Sequence, residues 1–121
     1  MNTKHIFDKL HTHTSKKELY KAYKLFFNTF ASEQRIKILN LLRKNMMNVS
    51  EIAKESKMSQ TNASHNIKRL MTCGFINQRA KGKYRYYELN EKTIRPMLKL
   101  IDAHMSEHCL LIIKSLGGKN E

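Results

Sequence analysis

Between Gln60 and Lys68 the chain carries Gln60, Thr61, Asn62, Ser64, His65 and Lys68, mostly short or amide-bearing groups that donate and accept hydrogen bonds. Gln and Asn can each pair in two places with the edge of adenine, and Ser and Thr suit base edges or phosphate oxygens. A helix that only meets solvent more often shows Glu and Lys in ion-pairing steps, yet this run contains no acid. The basic residues Lys57, Lys68, Arg69, Arg79, Lys81, Lys83 and Arg85 span the same region, and no Asp or Glu interrupts it from Lys57 to Tyr87. Phosphates repel carboxylates, so the region is read as a surface for nucleic acid. Its candidate contacts are Ser59, Gln60, Thr61, Asn62, Ser64, His65, Lys68, Arg69, Arg79, Lys81, Lys83 and Arg85. Lys81, Lys83 and Arg85 are expected at the backbone or the adjacent minor groove, where such contacts set position and affinity while the helix selects sequence.

Two further constellations invite chemistry. His104 and His108 are one helical turn apart, a spacing that can chelate Zn or Ni, with Glu107 beside them and His11 and His13 as further donors. The plainer reading, exposed histidines on a polar helix face, is preferred. Cys73 and Cys109 are weighed as thiol sensors and read instead as small packed residues, as Met58, Met71, Met97 and Met105 are read as fillers of core gaps. No glycine-rich phosphate loop, paired apolar carboxylates or nucleophile motif is present, so no enzyme is expected.

The elements that must hold these residues follow from periodicity. Ser15 is placed to cap a helix from Lys16 whose apolar stripe is Leu19, Tyr23, Phe26, Phe27 and Phe30. Ser32 heads a second helix that turns Ile36, Leu39 and Leu42 inward and ends near Asn45. A short third helix, Val49 to Ser56, buries Ile52 and Ala53. The link Lys57-Met58-Ser59 leads into the helix Gln60 to Cys73, with Ala63, Ile67, Leu70 and Met71 inward and Gly74 as its left-handed end. Two β-prone runs, Phe75 to Arg79 and Tyr84 to Leu89, flank a glycine-bearing turn and read as a hairpin. A single last helix is expected from about Glu91 to Leu116, with the seam Ile94, Leu98, Ile101, Met105, Cys109, Ile112 and Leu116. A seam that long wants a partner helix, and its copy in a second subunit is the expected one. The interface residues are then Tyr23, Phe27, Leu98, Ile101, Met105, Cys109 and Ile112.

The chain has 121 residues and 23 Lys and Arg against 10 acids, a net charge of +13. That length suits one domain, and that charge suits a polyanionic partner. Residues 1–15 are read as a polar arm that includes His5, 16–116 as the domain, and 117–121 as a tail. No apolar run approaches the roughly 20 residues that cross a bilayer, and the start lacks a signal peptide's apolar stretch. With only two cysteines, a reducing cytoplasm is expected.

The ordered stretches from Phe30 to Leu39, from Ser59 to Leu70, Gly74-Phe75-Ile76 and Gly82 to Leu89 resemble the arsenic-repressor (ArsR) family. The resemblance covers about residues 30 to 90, and its reader-helix pattern S-Q-x-x-x-S-H is met by Ser59, Gln60, Ser64 and His65. It implies a winged helix-turn-helix fold: mainly α, with a small β-hairpin wing and five helices, dimerising through its first and last helices. It also implies a sequence-specific repressor of an imperfect inverted repeat on double-stranded DNA, released by an inducer: a metal ion, thiol oxidation or another ligand. The family's Cys-x-Cys metal site is absent here, where Met46-Met47-Asn48-Val49-Ser50 stands. Its last-helix site is incomplete, because Thr93 falls where a ligand is needed if His104 and Glu107 form the later half. A non-specific architectural DNA-binding protein is the alternative. A basic arm, Lys4 to Lys24, docking on a membrane surface or a partner is a third class.

Overall fold

The computed structural model describes residues 15–117. The arm with His5, His11 and His13 and the tail beyond 117 lie outside the described residues. In chain order the elements are α1 (Lys16–Phe30), α2 (Glu33–Leu42), α3 (Val49–Ser56), α4 (Gln60–Thr72), β1 (Ile76–Lys81), β2 (Tyr84–Leu89), α5 (Ile94–Glu107) and α6 (Cys109–Gly117).

The first four helices each open on a side-chain cap. Ser15, Ser32 and Ser59 hydroxyls accept from the backbone N–H of Glu18, Arg35 and Asn62. Asn48 and Glu51 cap reciprocally, Asn48 Oδ1 accepting at 2.8 Å and Glu51 Oε1 at 2.9 Å. Left-handed backbone ends α3 at Lys57 (φ +58) and follows α4 at Gly74 (φ +76). These local signals are why the start and stop of α3 and α4 fall where the residues predict.

The core lies between α2, α3, α4, the base of the hairpin and the start of α5. Ile38, Leu39, Leu42, Ile52, Ala63, Ile67, Leu70, Phe75, Ile76, Leu89, Ile94 and Leu98 are buried there. Phe26 and Phe30 of α1 stack on Phe75, with ring centroids 5.1 and 6.2 Å away, so one side of α1 is held by the chain itself. The α2 expectation is corrected by one step. Ile38, not Ile36, is fully buried, and the helix ends at Leu42. α2 is packed by α3, α4 and β2 together, which widens its apolar face. Arg95 Nη1 then donates to the Arg43 carbonyl at 3.1 Å, satisfying a group that the helix end leaves open.

The hairpin is antiparallel, with register from Ile76 opposite Leu89 to Lys81 opposite Tyr84. Its turn is the pair Gly82-Lys83, and Gly82 at φ +65 takes the left-handed position such short turns require. A further pairing was not anticipated: Met47 and Tyr87 exchange backbone hydrogen bonds of 3.1 and 2.8 Å, fastening the hairpin to the α2–α3 loop.

The single last helix is replaced by two, which gives six helices among the described residues rather than five. The backbone leaves helical geometry at His108 (φ −126, ψ −70). Residue periodicity runs unbroken through this point and cannot register a backbone break. No residue of α6 is buried, so packing within the chain does not hold it to the course of α5. The start also moves from Glu91 to Ile94, because Asn90 Oδ1 accepts from the Lys92 and Thr93 N–H groups and forms a turn first. Among the described residues, no helix is long and apolar enough to cross a membrane.

Candidate nucleic-acid interface

Turning Ala63, Ile67 and Leu70 into the core leaves Gln60, Thr61, Ser64, His65 and Lys68 exposed along the opposite side of α4. Those positions advance by one, three, one and three residues, which is one helical face. α3 braces that face: Gln60 Nε2 donates to Ser50 Oγ at 2.9 Å. Ser59 Oγ already accepts from the Asn62 N–H, and Asn62 is half-buried, its Oδ1 accepting from Asn66 Nδ2 at 3.3 Å. Arg69 turns away from the face altogether. Its Nε donates to Thr29 Oγ1 at 2.9 Å, so it ties α4 to α1 rather than standing free for a phosphate.

Lys81, Lys83 and Arg85 are exposed on the hairpin. Pairing places Arg79, Lys81, Tyr84, Tyr86 and Glu88 on one face of the hairpin and Arg85 on the other. The cations therefore do not form one row. Lys81 and Lys83 ammonium groups lie 5.9 and 5.5 Å from the ring centroids of Tyr86 and Tyr84. Arg79 is ion-paired with Glu88 at 3.2 Å. The acid-free window in sequence closes at Tyr87, and the cross-strand register brings the next residue's carboxylate back onto Arg79.

Behind α4 lies a polar cluster that sequence reasoning missed. Arg35 of α2 donates from Nε to Thr29 O at 2.6 Å, from Nη2 to Asn28 O at 3.1 Å, and from Nη1 to Asn66 Oδ1 at 3.2 Å. α1 has no basic residue in its own last turn, and Arg35 supplies the cation there. Asn66, only 7% exposed, donates onward to Gln34 Oε1 at 3.2 Å and to the Asn62 carbonyl at 3.1 Å. The cluster thus fixes α4 against α1 and α2. Its available signal was an amide at a core position, three residues after Ala63 and four before Leu70, and the fully buried Thr29 on α1.

The remaining candidates scatter. Cys73 is half-buried, with Sγ 3.2 Å from Thr29 Oγ1, as a packed residue would be. Cys109 is exposed rather than packed, and Met105 is 36% exposed rather than filling a gap; among the described residues the core ends at Leu98 on α5. His104 and His108 rings lie 4.5 Å apart, and Glu107 Oε2 is 3.9 Å from His108 Nε2. Asp102 is bound to Arg43 at 2.6 Å. Among the described residues no group of three or more His, Cys, Asp or Glu side chains is placed to hold a metal. Of the expected interface residues, Tyr23, Phe27, Met105, Cys109 and Ile112 are exposed and Ile101 half-buried. Leu98, 3% exposed, belongs to the chain's own buried cluster instead.

Residues 32–78 match the model of the bacterial regulatory protein, arsR family. An uncharacterized HTH-type transcriptional regulator of Methanocaldococcus jannaschii is 30% identical over 86 residues, covering 70% of this chain and 97% of that protein. The arsenical resistance operon repressor of Bacillus subtilis is 26% identical over 85 residues, 69% of this chain and 81% of the repressor. Among solved structures, a homodimeric winged helix-turn-helix DNA-binding domain from Mycobacterium bovis, a possible ArsR-family regulator, superposes with a TM-score of 0.71 at 26% identity. It covers 79% of this chain and 90% of that domain. The exposed reader face on α4, its bracing helix, the hairpin beside them and these matches place the chain in the arsR family of winged helix-turn-helix transcriptional regulators.

Proposed function

We propose that the chain is a dimeric repressor that binds duplex DNA, reads an imperfect inverted repeat and is released by an inducer. The observation that carries this reading is the acid-free exposed row Gln60, Thr61, Ser64, His65 and Lys68, flanked by the exposed cations of the hairpin. Gln60, Thr61, Ser64 and His65 meet base edges in the major groove, with Asn62 at the margin of the row. Lys68, Lys81, Lys83 and Arg85 meet phosphates or the minor groove. Ser59, Arg69 and Arg79 keep the surface in shape through their intramolecular partners, while Gln60, bonded to Ser50 through Nε2, meets bases with its Oε1.

Two copies pair through Tyr23 and Phe27 of α1 and through Ile101, Met105, Cys109 and Ile112 of α5 and α6, an apolar surface that the single chain leaves largely uncovered. The Mycobacterium bovis domain is homodimeric, which supports this pairing. Two-fold symmetry then sets the two α4 rows about 34–36 Å apart or a multiple of it, the repeat of the major groove, which is why the operator is an inverted repeat. A metal inducer needs ligands beyond His104, His108 and Glu107, from a second copy or from the arm with His11 and His13.

Selection of bound duplexes from a random library, followed by competition against a scrambled duplex at about 0.15 M ionic strength, tests this. A clear preference for the selected sequence is expected. Equal affinity for both defeats sequence reading and leaves a non-specific architectural binder. Adding Zn, Ni or peroxide to the bound complex sorts the inducer classes.

A further inference from the structure

We propose that the lysine-lined groove between α2 and the end of α3 is a second phosphate-backbone site, gripping DNA that flanks the sequence read by α4. The proposal rests on the DNA-binding reading above and extends its footprint. Lys37, Asn40, Leu41 and Lys44 line the groove from α2 and the loop after it, and Glu55 and Lys57 from the end of α3. Three ammonium groups thus face one carboxylate. Among the described residues none of Lys37, Lys44 and Lys57 has an ion-pair partner. Like charges gathered in one groove repel one another, and a polyanion relieves that repulsion.

Two observations choose DNA as the occupant. First, one side of the groove ends beside the start of α4. Lys37 and Leu41 lie one turn apart on one side of α2, and Lys44 follows in the loop after it. On the groove's α3 side Lys57 stands two residues before Ser59, the cap of α4, a chain distance of about 7 Å at most. Second, Lys57 is held at φ +58, ψ +42, and among the described residues it is the only one other than glycine with positive φ. A β-carbon is disfavoured in that conformation, and glycine is the residue that suits it. Its backbone role, ending α3 with an N–H aimed at the Ala53 and Lys54 carbonyls, needs no side chain. A lysine kept in a glycine position is accounted for by what its ammonium group reaches.

The test is the salt dependence of binding to mixed-sequence duplexes of about 20 and about 40 base pairs, roughly two and four helical turns. Each phosphate contact contributes about 0.9 to the slope of log affinity against log salt. The triple variant Lys37→Gln, Lys44→Gln, Lys57→Gln is expected to flatten the slope by about 2 to 3 on the longer duplex, and to lose most of the affinity gained by lengthening the DNA. Lys99→Gln, an exposed lysine elsewhere, is expected to leave both unchanged. Lys57→Gly is expected to match or exceed the parent's melting temperature while flattening the slope by about 1. If the parent binds DNA and Lys83→Ala flattens its slope, but the triple variant does not, the groove inference falls and the DNA reading stands. If the parent binds no duplex at any salt, both fall. Equal flattening by Lys99→Gln means generic charge and overturns the site. A lower melting temperature for Lys57→Gly places that lysine in the service of the fold and overturns the argument from its backbone. Polyglutamate that binds the parent but not the triple variant, with DNA slopes equal, assigns the groove to an acidic protein segment instead.

Discussion

Replacing Asn66 by Ala is expected to loosen the reader helix from the rest of the domain, and the size of the effect follows from the bonds removed. The amide accepts a charge-assisted bond from Arg35 Nη1 at 3.2 Å and donates to Gln34 Oε1 and to the Asn62 carbonyl at 3.2 and 3.1 Å. A hydrogen bond to a charged group contributes about 1.5–3 kcal/mol and a neutral one about 0.5–1.5 kcal/mol. Arg35 keeps its two carbonyl acceptors on α1 in the variant, so its charge is not left bare. The three bonds together amount to about 2.5–6 kcal/mol. With Arg35 still paired the net loss lies in the lower half of that range, so in a chain of this size the melting temperature falls by on the order of 10 °C. Urea denaturation at fixed protein concentration measures it, since mass action shifts the stability of any dimer. A double-mutant cycle with Arg35→Ala should return a coupling of about 1–2 kcal/mol, as residues sharing a network do. At a temperature where Asn66→Ala is still folded, its DNA affinity is expected to fall, because α4 is no longer held against α1 and α2. Destabilisation below about 0.5 kcal/mol, or single effects that simply add, refutes the claim that this cluster positions the reader helix.

Ser64→Ala or His65→Ala should reduce the preference for selected over scrambled DNA, while Lys83→Ala weakens all duplexes alike and flattens the salt slope by about 0.9 in the same competition series. Met105→Asp should yield folded monomers in sedimentation, because the side chain is exposed in the single chain; Leu98→Ala should instead lower stability by about 2–5 kcal/mol, because it leaves a cavity in the core. The hydrogen bond from Arg95, reinforced by its charge, holds the exposed Glu91 carboxyl below its ordinary 4.5 and raises Arg95 in turn. A carboxyl lowered on folding stabilises above that ordinary value and loses the contribution as pH falls through its folded value. Urea midpoints of the parent and Glu91→Gln should therefore differ at neutral pH and converge in acid.

Much of the architecture was legible in the residues because its causes are local. Ser15, Ser32 and Ser59 cap the helices they precede, Gly74 and Gly82 occupy left-handed positions, and the apolar period of α4 fixes which side of it remains exposed. Membership of a winged helix-turn-helix family and the reader row rest on those short-range patterns. Tertiary structure alone decided which polar groups are free. Arg69 and Arg79 look like any other cation in the chain until Thr29, 40 residues away, and Glu88, across the hairpin, take them up. The same holds for Leu98, one step of an unbroken heptad seam, which the chain's own core covers while Met105 and Ile112 stay exposed. Periodicity says that a residue needs covering; only the path of the chain says what covers it. Asn66 is the sharpest case, an amide at an apolar position whose use depends on Arg35 arriving from another helix.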